Sequence, residues 1–188
     1  VRCDAQGEKV SGWDITLGGT EDDRFQAVRP TSDGGFILAG YSESPPGGNK
    51  TGTNYGWDDY WVARVNASGA VPWDKSFGGS GFDYASELWP TSDGGFLVAG
   101  DSASPPDGNK TSTNSSYYSR DVWLVKLDGD GNWIWDKSYG GDGTEYLYCI
   151  TPTHDGGWAF AASSYSEINE RKAAPLLGGS DWWVVRLA

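Results

Sequence analysis

Hydrophobic residues along this chain fall in short alternating runs, and the same runs return at long intervals. In DYWVARV from Asp59, the residues Trp61, Ala63 and Val65 point one way while Val62 and Arg64 point the other, the period of two that a half-buried strand requires. DVWLVKL from Asp121 and DWWVVRL from Asp181 repeat the pattern. A second set, FILAG from Phe36, FLVAG from Phe96 and WAFAA from Trp158, predicts further strands. Each of these follows Asp-Gly-Gly, whose glycines supply the positive φ of a tight hairpin. Glu167 to Ala174 is the one candidate for a helix. Apolar runs end after about five residues, far short of the ~20 that span a bilayer. The pattern predicts an all-β protein.

Three repeats organise these strands. WDITLGG at Trp13 returns as WDKSFGG at Trp73 and WDKSYGG at Trp135, spaced by 60 and 62 residues. PTSDGGFILAG from Pro30, PTSDGGFLVAG from Pro90 and PTHDGGWAFAA from Pro152 follow in turn. Each repeat reads as four short strands, the first opening at the leading Trp. The single domain of residues 1–188 divides into repeats at 13–72, 73–134 and 135–188, after an N-terminal piece at 1–12. In that piece, Val1 to Gly7 matches the end of a fourth strand and its turn, as at Arg64 to Gly69. The chain stops at Leu187-Ala188, where the third repeat's fourth strand ends. Each end therefore reads as an unfinished ladder.

Four-stranded units of this size with Gly-rich turns predict β-propeller-like blades, with a threefold β-trefoil as the alternative. The pattern W-D-x-x-x-G-G, D-G-G-[FW], D-x-W-[VL]-V-[KR] resembles tandem repeats of secreted and surface-anchored archaeal and bacterial proteins that form propeller-like modules. That resemblance implies an extracellular scaffold or interaction domain. Propellers have 4–8 blades, whereas three are present here. Open edges template pairing with other chains: two chains complete a six-bladed ring, copies join head to tail into a filament, or the chain is cut from a longer array, and the complementary strand ends favour completion by copies of the same chain.

Composition adds limits. With 14 Lys+Arg against 26 Asp+Glu, the net charge is −12, which disfavours nucleic acid and anionic membranes as partners. The absence of Met points to an N-terminus made by cleavage, most simply of a signal peptide. Four N-x-[ST] sequons then become candidate glycosylation sites: Asn49 and Asn109 first, in matching SPPGGNKT and SPPDGNKT loops, followed by Asn66 and Asn114. In a secreted chain the two cysteines, Cys3 and Cys149, predict one disulfide within or between chains.

Six of the 11 Trp residues recur at fixed positions (Trp13, Trp73, Trp135, Trp61, Trp123, Trp183) and are expected in packing. Trp57, Trp89, Trp133, Trp158 and Trp182 do not recur as Trp in every repeat and are the candidates for glycan contact. Asp128-Gly-Asp130-Gly-Asn132 resembles the start of a Ca²⁺ loop but has Tyr139 where position twelve calls for Glu; a hairpin turn is expected. The only His, His154, replaces Ser32 and Ser92 in a turn, and no nucleophile–base set can be assembled around it. Nothing singles out a glycosidase carboxylate pair. No catalytic residue, metal or cofactor is assigned. The third repeat departs most from the others at INERKAAPLLGG, a candidate docking loop. The leading expectation is a secreted, glycosylated, non-enzymatic building block of a filament or surface layer; the alternative is a lectin-like extracellular module.

Overall fold

The computed structural model describes residues 3–10, 14–116, 119–169 and 171–188. Three antiparallel sheets follow one another along the chain. The first holds β1 (Asp23–Pro30), β2 (Phe36–Ser42), β3 (Asp59–Val65) and β4 (Trp73–Phe77) in that order. The second holds β5 (Asp83–Pro90), β6 (Phe96–Ser102), β7 (Asp121–Leu127) and β8 (Trp133–Tyr139). The third has three strands, β9 (Glu145–Pro152), β10 (Trp158–Ser164) and β11 (Asp181–Leu187), ordered β11-β10-β9. The sheets do not close into a barrel. No helix forms among the described residues, and 167–169 and 171–174, where one was a candidate, run as loop.

Hairpin chemistry is the same in each sheet. Thr31 N–H donates to Gly35 O and Gly34 N–H to Thr31 O, both at 3.0 Å, with Gly34 at φ 81°. Asp33 accepts from the Thr31 hydroxyl at 2.7 Å and is paired with Arg64 from β3 at 2.5 Å. Lys126 reaches Asp93 at 2.9 Å, and Arg186 pairs with Asp155. The basic residue near the end of each DxW strand is thus the anchor for the Asp of the preceding Gly-Gly turn. The Thr31 hydroxyl and the Arg64 guanidinium hold the Asp33 carboxyl down to about 2. Bulges at Gln26, Ser86 and Tyr148 bend β1, β5 and β9, as an extra residue on one strand does, and the second sheet has another at Ile134 in β8.

The cores lie between sheets. Ile37, Tyr60, Val62 and Phe77 of the first sheet meet Leu88, Phe96, Val98, Trp123 and Leu127 of the second. The opposite face of the second sheet, with Leu97, Val122 and Leu124, packs on Leu147, Ile150, Phe160 and Trp183 of the third. Tyr60 packs tilted against Trp123 at 4.6 Å between ring centroids and donates its hydroxyl to Trp123 O at 3.1 Å.

Sheet and sequence repeat are out of phase. The opening strand of the second repeat is β4, which completes the first sheet, and that of the third is β8, which completes the second. The corresponding stretch of the first repeat was expected to be a strand as well. Residues 14–19 instead form no strand, since no described DxW strand lies alongside them as β3 lies beside β4. Trp13 itself lies outside the described residues.

Candidate functional site

The junction between the first two sheets shows what an outer face needs in order to be covered. Trp61 of β3 donates its indole N–H to Asp74 of β4 at 2.8 Å. Asp74 also accepts from Thr51 N–H at 3.0 Å, Gly52 N–H at 2.9 Å and the Thr51 hydroxyl at 2.5 Å. The end of β4 is clamped to the second sheet by Asn109, whose Oδ1 accepts from Gly78 N–H at 2.9 Å and whose Nδ2 donates to Ser76 O at 2.9 Å. Around Gly78 two buried carboxylates, Asp59 and Asp83, come so close that a side chain there would collide with both. Burial, with the Asp83 charge beside it, pushes the Asp59 carboxyl up to about 7, against the N–H groups of Tyr55 and Gly56 that favour its charged form. The second junction repeats this set: Trp123 on Asp136 at 2.9 Å, and Asp121 with Glu145 around Gly140. Asp121 is likewise raised, to about 6, chiefly by burial.

Among the described residues, both ends of the stack present these same surfaces without a cover. Val28 is 52% exposed, while its counterparts Leu88 and Ile150 in the next two sheets are 0% and 2% exposed. It borders a groove of about 330 Å3 lined by Ile15, Leu17, Phe25, Phe36, Leu38 and Val65. At the other end Val184 is 72% exposed, where Val62 and Leu124 are 0% and 1%. Trp182 beside it is exposed and packs on Tyr148 at 4.7 Å. Among the described residues, the outer edge of β11 has no neighbouring strand.

Residues 14–19 lie on the first end as β4 lies on the second sheet. Asn49 Oδ1 accepts from Gly18 N–H at 2.8 Å, its Nδ2 donates to Thr16 O at 2.7 Å, and its backbone N–H donates to Gly18 O at 3.1 Å. Gly19 N–H reaches Asp23 at 2.7 Å, as Gly79 N–H reaches Asp83 at 2.9 Å. The N-terminal turn also copies the interior ones: Asp4 Oδ1 accepts from the N–H groups of Gln6 and Glu8, as Asn66 does from Ser68 and Ala70.

The sequons divide on this geometry. Asn49 and Asn109 are the two clamps just described. Asn114 donates Nδ2 to Ser102 O at 2.7 Å and accepts from Lys110 Nζ at 3.0 Å, so it too holds a loop. Among the described residues Asn66 uses only its Oδ1, which accepts from Ser68 and Ala70. A class of residue that sequence reading missed sits next to the first two. Lys50, Lys110 and Lys172 are all buried, with each ammonium bonded to loop carbonyls: Ser44 O and Gly52 O, Ser112 O, and Ser166 O and Ala174 O. Their recurrence in NKT, NKT and RKA was the available signal, masked by the sequon.

The expected disulfide is not formed. Cys3 and Cys149 are free and exposed. Cys149 lies on β9 in the last sheet, whereas Cys3 belongs to a bridged turn ahead of the first. The recurring Trp61, Trp123 and Trp183 are buried, and Trp73 and Trp135 pack on the cores. Of the glycan-contact candidates, Trp89 and Trp158 pack against the second core, and Trp57, Trp133 and Trp182 are exposed at separate places. Trp133 borders a groove of about 360 Å3 with Tyr55, Asn109 and Asn132. Trp57 begins an aromatic row, stacking on Phe82 at 5.7 Å, which stacks on Tyr84 at 6.0 Å. Arg120 lies 4.5 Å over Tyr84 and is bonded to Asp101 at 3.1 Å. Neither Phe82 nor Arg120 recurs, so no repeat pattern marked them.

Asp128 Oδ1 accepts from Asp130 N–H and Asn132 N–H, which makes that stretch a hairpin turn. His154 is exposed in the β9–β10 turn. In the third-repeat loop, Lys172 is buried, Arg171 donates to Thr113 O at 2.6 Å and Leu177 is exposed. Among the described residues no three His, Cys, Asp or Glu side chains converge as metal ligands would. A scan against protein-family models finds no match for this chain, and a search of curated protein sequences finds none either.

Proposed function

We propose that the protein is a non-enzymatic structural unit that self-associates through the two ends of its sheet stack, building an extracellular filament or surface layer. The observation that carries this reading is the pair Val28 and Val184, exposed at positions whose counterparts inside the molecule are fully covered. Burial of apolar surface is worth about 25 cal/mol per Å2, and uncovered apolar positions that repeat a buried interface are where association gains it. The sheets are read as propeller-like blades; face-to-face stacking of successive sheets of four, four and three strands supports that over a trefoil, which would close its hairpins into one barrel. Secretion rests on the repeat resemblance and the sequons, with Asn66 now the foremost glycosylation site because its Nδ2 is uncommitted among the described bonds.

The test is sedimentation and negative-stain electron microscopy of the wild type beside Val28→Asp and Val184→Asp. Association in the wild type and its loss in either variant, with the far-ultraviolet dichroism unchanged, is the expected result. A wild type that stays monomeric at high concentration rejects the proposal. The lectin reading draws on the Trp57, Phe82, Tyr84 and Arg120 row, which offers stacking faces and a cation to an acidic sugar. A glycan array that returns hits lost on Trp57→Ala would favour it.

A further inference from the structure

Resting on the assembly reading, we infer that Asp14–Leu17 is a donated strand: it completes the third sheet of a second copy by pairing along the free edge of β11, with Asp14 accepting from the Trp183 indole N–H of that copy. Each part of the joint exists twice inside the molecule. Asp14 occupies the repeat position of Asp74 and Asp136, which accept from Trp61 and Trp123. Trp183 is the third member of that Trp set and has no acceptor for its Nε1 among the described residues. Ala173 and Ala174 stand where Thr51 and Gly52, and Thr111 and Ser112, donate their N–H groups to the same carboxylate.

The donor segment is already placed. Leu17 lies against the first sheet's outer face as Phe77 lies against the second sheet, and the Asn49 clamp on Thr16 and Gly18 duplicates the Asn109 clamp on Ser76 and Gly78. What β4 has and residues 14–17 lack is the lateral ladder to a DxW strand. On β11 that ladder is open. The β3–β4 register pairs Tyr60 with Phe77, Trp61 with Ser76, Val62 with Lys75 and Ala63 with Asp74. Transferred to the joint, Trp182, Trp183, Val184 and Val185 of one copy face Leu17, Thr16, Ile15 and Asp14 of the next. In the single chain Asp14 is held by Lys9, an exposed pair that strand transfer exchanges for the indole and two backbone N–H groups. Few hydrogen bonds need be made from disordered chain, so the entropy cost of joining is small.

The register supplies the test. In a Cys3→Ser, Cys149→Ser background of the full chain, Ile15→Cys with Val184→Cys places the two thiols on a cross-strand pair, and Glu21→Cys with Val184→Cys places them out of register. Under mild oxidation the first variant is expected to give a ladder of disulfide-linked dimers and higher species, and the second none. Asp14→Ala is expected to weaken association tenfold or more, as loss of a charge-assisted bond does. Association that persists without in-register cross-linking, and unchanged in Asp14→Ala, overturns strand donation while leaving end-to-end stacking intact. Cross-linking confined within single chains overturns it in favour of closure in cis. A wild type that never associates overturns both readings.

Discussion

Asp59 and Asp83 share one buried space around Gly78, and two charges there are costly to hold at once. With Asp59 raised to about 7, the folded state binds more protons than the unfolded chain between about pH 4 and 7, so stability falls as pH rises through that window. Asp59→Asn is therefore expected to raise stability by about 2 kcal/mol at pH 8 and to flatten its pH dependence, read by urea unfolding from pH 5 to 8. A second comparison separates covered from uncovered indoles. Trp61→Phe removes the bond to buried Asp74 and is expected to cost about 2 kcal/mol beyond the packing it loses, whereas Trp183→Phe, with no acceptor to lose among the described residues, is expected to cost the monomer only the packing of its indole in the second core. Sequence alone exposed the recurrence of these Trp and Asp residues but not the bonds. Trp61 and Asp74 face each other only because β3 and β4 pair across the repeat boundary, and the acidic pairs become visible only when sheets stack. The buried lysines escaped notice because Lys normally marks a solvated loop.

At the scale of elements, β4 and residues 14–19 are the same sequence motif in two states. WDKSF pairs with β3 and is a strand; Asp14 to Leu17 has the same clamp and the same apolar seat but no ladder. Strand character here comes from the neighbour rather than from intrinsic preference. The hairpins, the bulk of the strands and the all-β class were legible, since period-two alternation and Asp-Gly-Gly turns depend on local chemistry. Which strands share a sheet was not, because nothing local distinguishes a repeat that closes on itself from one that passes its first strand back. The clamps predict a measurable asymmetry. Asn109→Ala is expected to destabilise the chain by about 1–2 kcal/mol. Asn49→Ala should leave the unfolding midpoint nearly unchanged yet speed amide exchange at Thr16 to Gly19, since only that segment is released.

For the whole molecule, the ends carry carboxylates in the positions of the internal pairs: Asp181 with Asp59 and Asp121, and Asp23 with Asp83 and Glu145. Asp181 accepts from Leu177 and Gly178 N–H, and Asp23 from Gly19 N–H and two serines, so each end is half of a like-charged pair. The phase offset between sheet and sequence repeat has a further result. Deleting or duplicating one 60-residue period removes or adds one sheet and one internal junction, yet leaves the groove at one end and the β11 surface at the other as they were. Chains of different repeat number would thus be interchangeable at their joints, and a polymer of them could vary in the length of its units without a change in the chemistry that connects them.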